Sequence, residues 1–221
     1  MSAGHFQEFE DEYLEAMYGF YEQNPEQRVR TGILAESLTI SPASATEMVQ
    51  RLAAKGFLDY VPYKGSLLTS KGLEHGMMMK RRHRLARVLL DHLPFEGDHN
   101  ETACRLEHAI DDDLDVALAI YFDNPNIDPS GRDIPEIRKG LFERLNTKSS
   151  GVRRVSDLQF GESGKVSFIS LPKDDMNVIS QLGIEIGTEI SFDGEYKILS
   201  TDKVLKIDES ISNSIVLDLL H

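Results

Sequence analysis

The chain has 221 residues, enough for two or three small domains that each bury a core of their own. Its apolar runs are too short to cross a bilayer, and its single cysteine excludes an internal disulfide. The net charge of −13 argues against nucleic acid as a partner of the chain as a whole. The charge is uneven, however, because residues 26–92 contain eleven Lys and Arg against six Asp and Glu, a local charge of +5.

The amino-terminal segment predicts a helix and not a secretion signal. Apolar residues recur every three or four positions over residues 6–23, and Asn24-Pro25 ends the pattern. The segment is acidic and lacks Lys and Arg, whereas a secretion signal has a basic start and an apolar stretch. We therefore expect a cytoplasmic protein with no membrane partner.

Two short helices follow, and their spacing is typical of a helix-turn-helix. Thr31 is a candidate N-cap of the first helix, which extends to Leu38. Ser41 followed by Pro42 is a typical start of the second helix, which Gly56 ends. Because the turn is short and the second helix opens with small polar side chains, the pair favours DNA binding.

The next segment predicts a β-hairpin and then a long basic helix. Apolar residues alternate around Lys64-Gly65, which indicates the wing of a winged helix, and Thr69-Ser70 begins a helix over about residues 70–93. This helix contains the basic run Lys80-Arg81-Arg82-His83-Arg84. Two roles are open for the run: a solvated helix face, or contact with DNA phosphates.

The second half of the chain predicts a helical segment and then a β domain. Residues 98–122 predict a helix whose wide apolar stripe needs a partner surface, most simply a second copy of the chain. A proline-rich loop, a helix over residues 135–146 and a Ser/Gly-containing linker follow. Beyond residue 151, alternating segments separated by turn residues indicate a small antiparallel barrel.

The most informative side chains are Cys104, Glu107 and His108, at positions i, i+3 and i+4 of a predicted helix. They share one helix face, and thiolate, carboxylate and imidazole groups are ligands of first-row transition metals. Such a site needs further ligands, and the candidates elsewhere in the chain are Glu12, Glu15 and His83. Spacing alone leaves chance occurrence, a solvated acidic face and a surface histidine open as alternatives.

Four segments together resemble the DtxR/MntR family of metal-dependent regulators in order and spacing. They are DEYLEAMY, SPASATEMVQRLAAKGFLDYVPYKGSLLTSKG, KRRHRLARVLL and ACRLEH. The resemblance covers residues 6–122, and the tail is similar to the SH3-like (FeoA-like) domain of longer members. We therefore expect a mainly α protein with a small β domain: a winged helix-turn-helix domain at 1–72, a helical dimerisation and metal-binding domain at 73–146, and an SH3-like β-barrel at 152–221.

The resemblance implies a primary metal site formed by Glu12, Cys104, Glu107 and His108. Manganese-type members carry acids at the positions of Glu12 and Glu15 and also use the histidine that matches His83. Iron-type members carry methionine at the position of Glu12 and cysteine at that of Cys104. Because the chain mixes the two patterns, we expect a divalent transition metal, Fe(II) first and Mn(II) as the alternative.

The family's ancillary metal site is not reproduced. Arg87 and Asn100 stand at two of its ligand positions, and a guanidinium cannot bind a cation. A second ion would have to use His83 with other partners, such as Glu15 or the barrel residues Asp174 and Asn177. The family's CPHG loop motif is also absent, and DPSG stands in its place at residues 128–131.

The resemblance also implies how the protein would act on DNA. The side chains expected at base edges or phosphates are Ser41, Ala43, Ser44 and Thr46, with Thr31 and Arg51 on the DNA backbone. In a homodimer on a double-stranded operator, metal would tie the first helix to the dimerisation helix and set the spacing of the two recognition helices. We expect a metal-activated transcriptional repressor.

Two other functions stay open as alternatives. A winged-helix regulator that senses something other than metal would bind DNA equally well with and without a chelator. A metalloenzyme could use the same ligands, but no candidate general base or nucleophile stands apart from them, and no phosphate-binding glycine loop is present. We therefore expect that the protein is not an enzyme.

Overall fold

The computed structural model describes residues 3–149, 151–169, 171 and 173–220. The chain forms two compact units, one reaching to Ala119 and including Asn124–Leu141, the other made of Ile120–Asp123 and the chain from Phe142 onward. The elements up to residue 149 are α1 (Ala3–Gln23), α2 (Thr31–Ser37), α3 (Pro42–Ala54), β1 (Leu58–Val61), β2 (Gly65–Leu68), α4 (Ser70–Asp91), α5 (His99–Glu107), α6 (Asp112–Tyr121) and α7 (Lys139–Ser149).

Helices α1 to α3 and the hairpin β1–β2 enclose one apolar core. Its most deeply buried side chains come from all three helices and include Leu14, Leu34, Val49 and Leu52. The hairpin is antiparallel, with Leu58 opposite Leu68, and an isolated bridge to Val29 extends it. This arrangement is a winged helix-turn-helix, with α2 and α3 as the helix pair and β1–β2 as the wing.

The two predicted caps of the helix pair differ in outcome. The prediction for Ser41 is confirmed, because its Oγ accepts a hydrogen bond from the Ser44 amide at 3.1 Å and Pro42 occupies the first helical turn. The prediction that Thr31 caps α2 is wrong. Thr31 is already helical, Arg30 is the N-cap residue, and the carbonyl of Arg30 accepts the amide of Leu34 at 3.2 Å.

Helix α4 is held close to its neighbours by two glycines one turn apart. A Cβ on Gly72 would lie 2.0 Å from the carbonyl oxygen of Phe57, and one on Gly76 would lie 2.5 Å from that of Leu14. Thr69 caps α4, since its Oγ1 accepts the amide of Gly72 at 3.1 Å. The backbones of α1 and α4 therefore touch at Gly76, and this contact fixes the distance between the two helices.

The helix predicted over residues 98–122 is two helices, α5 and α6. The Asp111 side chain accepts the amide of Leu114 at 2.9 Å, so Asp111 acts as an N-cap and the acidic residues after it fall in the first turn of α6. The three consecutive aspartates are a helix start that the apolar periodicity conceals. As a result, His108 is the C-cap residue of α5 and not part of a continuous helix.

The second unit contains an antiparallel sheet. Its elements are β3 (Val152–Arg154), a 3-10 turn (Val155–Asp157), β4 (Ser163–Ile169), α8 (Lys173–Leu182), β5 (Glu189–Phe192), β6 (Tyr196–Ile198), β7 (Lys203–Leu205), α9 (Glu209–Asn213) and β8 (Ile215–Leu219). The strand order is β3-β8-β4-β5-β6-β7, and Val166, Ile190 and Leu217 lie in the core of this unit.

The predicted fold class, mainly α with a winged helix-turn-helix and a small β domain, is confirmed. Among the described helices, none is long and apolar enough to span a membrane.

We expect Gly76→Ala to destabilise the protein by about 1–3 kcal/mol, because the added methyl group would press against the α1 backbone in a packed contact. Thermal or urea unfolding measures this difference. Gly32→Ala is the matched control, since a Cβ there meets nothing within 4 Å. Equal unfolding midpoints for the two variants would show that α1 and α4 are not in close contact at Gly76.

Candidate metal centre and nucleic-acid interface

Three metal-binding side chains from three helices converge in the first unit. They are Glu15 on α1, His83 on α4 and Glu107 on α5, and one ligand atom from each lies within 4.8 Å of the others. His83 Nδ1 is 2.7 Å from Glu107 Oε2 and 3.9 Å from Glu15 Oε1. Glu107 is completely buried. Because the ligands come from different helices, an ion held here would link α1, α4 and α5.

Three further sequence-predicted ligands surround this triplet without belonging to it. His108 Nε2 lies 3.6 Å from Glu107 Oε1. Cys104, one turn before Glu107 on α5, interacts electrostatically with Glu107, Glu15 and Glu12. Glu12 interacts in turn with His108 and Glu15. All six predicted ligands therefore share one neighbourhood, but Glu15, His83 and Glu107 form its most closely spaced set.

Asp11 supports the site from behind His108. Its Oδ2 lies 3.6 Å from His108 Nδ1, and its Oδ1 lies 2.6 Å from His75 Nε2. The interaction with Asp11 raises the pKa of His108, against the opposing effect of burial. A carboxylate beside the outer nitrogen of a metal-binding histidine commonly sets the orientation of the ring. Asp11 was not predicted as a site residue, although it directly precedes Glu12.

Burial keeps the centre of the site neutral. It raises the pKa of Glu107 well above its usual range, and the nearby Glu15 carboxylate adds to this effect. Burial also lowers the pKa of His83. These directions favour a neutral pair in which the Glu107 hydroxyl donates to His83 Nδ1. Burial, with help from Glu107 and Glu15, raises the pKa of the Cys104 thiol to about 11.

The donor set fits a divalent first-row metal ion. Glu107 Oε1 is buried and has no hydrogen-bond partner in the part of the chain that the structure describes. A buried polar atom without a partner is unfavourable, and a cation would satisfy it. Carboxylate, imidazole and thiolate groups together suit Fe(II) and its neighbours in the transition series. When bound, the ion would supply positive charge that stabilises the ionised forms of these ligands.

The residues considered for an ancillary site have different environments. Asn100 forms a side-chain hydrogen bond with His83, which raises the pKa of His83 against the larger effect of burial. Arg87 Nε is buried and finds no hydrogen-bond partner among the described residues. Asn177 is exposed on α8 of the second unit, and the Asp174 side chain lies outside the described part of the structure.

The basic run of α4 is used inside the protein. Arg81 and Arg84 are only 2% and 4% exposed. The internal ion pairs are Lys80 to Glu15 at 2.6 Å, Arg81 to Asp115 at 2.9 Å, Arg82 to Asp112 at 2.9 Å and Arg84 to Glu22 at 2.6 Å. Two roles were considered for this run, a solvated face and phosphate contact. Both are wrong for Arg81 and Arg84, because their guanidinium groups are buried against carboxylates and reach neither water nor DNA.

The predicted DNA-contacting residues lie on or beside α3. Ser41, Ala43 and Ser44 are exposed at its amino-terminal end, and Thr31 and Thr46 are partly exposed. The Thr46 hydroxyl donates to the carbonyl of Pro42 at 2.8 Å, so it has an acceptor site left but no free proton. Arg51 Nη2 lies 3.5 Å from Glu47 Oε1. The hydroxyl-rich end of α3 is thus accessible, whereas Arg51 already has an acidic neighbour.

Three residues that sequence analysis missed extend this surface. Arg30, Gln50 and Tyr63 line one open cleft together with Thr31 and Thr46. Gln50 follows Thr46 by one helical turn, so helical spacing could have identified it. Tyr63 stands at the turn of the wing with a positive φ of 64° and is fully exposed. The cleft therefore joins α2, α3 and the wing into one continuous surface.

The chain is similar in sequence to known metal-dependent regulators. Residues 5–66 match the N-terminal DNA-binding domain of the iron-dependent repressors, and residues 69–136 match their metal-binding and dimerisation domain. An HTH-type transcriptional regulator of Methanocaldococcus jannaschii is 35% identical over 115 residues, which cover 51% of this chain and 91% of the relative. The chain belongs to the DtxR/MntR family.

Other DtxR/MntR-like proteins agree with this assignment. The diphtheria toxin repressor of Corynebacterium glutamicum is 29% identical over 171 residues, 73% of this chain and 74% of the relative. The fold is shared with a manganese-dependent transcriptional repressor solved in complex with manganese, at a TM-score of 0.51 and 22% identity, covering 96% of this chain and 100% of that one. Family members are transcriptional repressors and not enzymes, so the protein is a metal-dependent transcriptional repressor of this family.

We expect metal binding to release protons and to strengthen as the pH rises from 6 to 9. The raised pKa values of Glu107 and Cys104 keep both groups protonated near neutral pH, and both must ionise before they bind a cation. Calorimetric titration with Fe(II), under anaerobic conditions and in buffers of different ionisation enthalpy, measures the number of protons released. An affinity that does not change with pH would show that neither group binds the ion.

Proposed function

We propose that this protein is an iron-responsive repressor that binds a double-stranded DNA operator as a homodimer, with Fe(II) as corepressor. The observation that carries the proposal of a metal corepressor is the convergence of Glu15, His83 and Glu107 from α1, α4 and α5 within 4.8 Å. Helix α1 also belongs to the winged-helix core through Leu14 and Met17. An ion in this site would therefore connect the DNA-binding fold to the helices that follow it.

The proposed switch depends on where α1 is held. Without a metal ion, Glu107 is protonated and carries no charge. It therefore does not hold the ligands of α1 in place. With metal, Glu15 and Glu12 on α1 and the ligands of α5 bind one ion, so the winged helix is restrained relative to α5. An ion that binds the DNA-competent arrangement about 100-fold more tightly supplies about 2.7 kcal/mol, which is enough to switch a nearly balanced equilibrium.

The choice between iron and manganese depends on Cys104. A thiolate ligand favours Fe(II) over Mn(II), because Mn(II) prefers oxygen ligands. We propose that Cys104 joins Glu12, Glu107 and His108 as a ligand and makes the protein responsive to iron. The specific observation in favour of manganese is that the closest triplet, Glu15, His83 and Glu107, contains no sulfur. A manganese-responsive repressor is therefore the second candidate.

The proposed domain organisation follows from these roles. Residues 1–72 would bind DNA, residues 73–146 would bind metal and form the homodimer, and residues 152–221 would form the SH3-like domain. The proposed DNA surface consists of Thr31, Ser41, Ala43, Ser44, Thr46 and Arg51, extended by Arg30, Gln50 and Tyr63. Its hydroxyl and amide groups suit hydrogen bonds to phosphates and base edges, and the exposed Arg30 supplies positive charge.

Glu107→Gln should abolish metal-activated DNA binding, because it removes a buried anionic ligand and leaves a side chain of the same shape. Glu101→Gln is the matched control, since Glu101 is a 71%-exposed carboxylate on the same helix.

Cys104→Ala should weaken activation by Fe(II) by about tenfold or more and change activation by Mn(II) little. Fluorescence anisotropy with the protein's own upstream DNA, under anaerobic conditions, measures all three variants, and size-exclusion chromatography checks the dimer. Full activation of Glu107→Gln by either ion would contradict the proposed site.

Arg30→Ala should weaken DNA binding about equally on operator and unrelated DNA, because a phosphate contact carries no sequence information. The slope of log affinity against log salt concentration should fall by about 1. Arg105→Ala is the matched control, since Arg105 is an exposed arginine on α5. A loss confined to operator DNA would instead indicate that Arg30 reads a base.

A further inference from the structure

Lys80 places a positive charge inside the candidate metal centre. Its Nζ lies 2.6 Å from Glu15 Oε1, and the side chains of both residues are largely buried, at 15% and 13% exposure. Lys80 lies one turn before His83 on α4, so the two side chains point to the same face. The Lys80 charge also interacts with Cys104 and Glu107. The ammonium group is therefore part of the electrostatic environment of the ligands.

A glycine of α1 lies near the ammonium group. Gly19 lies one turn after Glu15 on α1, and a Cβ at this position would lie 3.9 Å from Lys80 Nζ. The Glu15 oxygen that accepts from Lys80 also lies 3.9 Å from His83 Nδ1, so the ammonium group and the imidazole flank one carboxylate oxygen.

We propose that Lys80 is a tethered competitor of the metal ion, which occupies Glu15 in the metal-free protein and must release it when a metal binds. This inference rests on the proposed function, because it assumes that the Glu15–His83–Glu107 site binds a divalent ion. A charge-assisted hydrogen bond between partly buried groups is among the stronger polar contacts in proteins. The ion must break this bond to recruit Glu15, so Lys80 raises the metal concentration at which the site fills.

The competition also affects which ligands an ion uses. The free energy lost when the ammonium group is displaced disfavours an ion that depends strongly on the Glu15 carboxylate more than one that binds mainly through Cys104, Glu107 and His108. In the metal-free protein, Lys80 also offsets repulsion among the acidic ligands. Lys80 is therefore a specificity-determining residue that stabilises the empty site and disfavours ions that need Glu15.

The test compares Co(II) binding by the full-length wild type with that of Lys80→Met, under anaerobic conditions. Titration with Co(II) measures the affinity of the site. A thiolate-to-Co(II) charge-transfer absorption band shows whether Cys104 contacts the ion. Lys80→Met should bind Co(II) about tenfold more tightly or better, because no ammonium competes for Glu15, and its unfolding temperature without metal should be lower. Lys80→Arg should restore weaker binding, since it keeps the positive charge.

Two controls separate competition from a general change in charge. Lys71→Met removes one positive charge from the same helix, but Lys71 is exposed and donates to the carbonyl of Lys55 at 3.0 Å, so Co(II) affinity should stay at the wild-type value. In a Glu15→Gln background, Lys80→Met should give no increase in affinity, because the shared carboxylate is gone.

The outcomes distinguish this inference from the proposed function. Wild-type protein that binds no Co(II) would contradict the metal site itself. Wild-type protein that binds Co(II), together with a folded Lys80→Met variant of equal or lower affinity, would contradict only the role of Lys80. An equal increase in Lys71→Met, or an increase that persists in the Glu15→Gln background, would also overturn it, because the effect would then not act through Glu15.

Discussion

The carboxyl group of Glu107 is buried where α1, α4 and α5 meet, and the rest of the site depends on how its charge is satisfied. An ionised carboxylate without a partner is very unfavourable in such a place, so the group stays protonated beside His83 unless a cation arrives. A divalent ion reverses this balance and recruits ligands from α1. Metal chemistry and helix position are thus linked through one buried acid.

Helix α4 is the structural centre of this arrangement. Its first half approaches α1 through Gly76 and the segment between α3 and β1 through Gly72, and both glycines admit neighbouring backbones at distances that no other residue would allow. Its second half carries His83 into the site and uses Arg81 and Arg84 in buried ion pairs. The basic residues between positions 26 and 92 therefore have two roles. Some form ion pairs that hold the helices together, and only the exposed ones can face DNA.

Local patterns in the sequence predicted much of the fold and the residue types of the site. Ser41 and Pro42 marked the start of α3, and the i, i+3, i+4 spacing brought Cys104, Glu107 and His108 to one region. The break before Asp111 was missed because apolar periodicity continues through it. The pairing of Lys80 with Glu15, 65 positions apart, has no local signal, since only the packing of α1 on α4 creates it.

The measurement that tests the central claim most directly is amide hydrogen exchange of the metal-free and the Fe(II)-loaded protein in the absence of DNA. If an ion links α1 to α5, Fe(II) should slow exchange across α1 and α5, and the effect should disappear in Glu107→Gln. Exchange in α1 that stays unchanged while Fe(II) is demonstrably bound would contradict the account, because the ion would then not hold the winged helix in place.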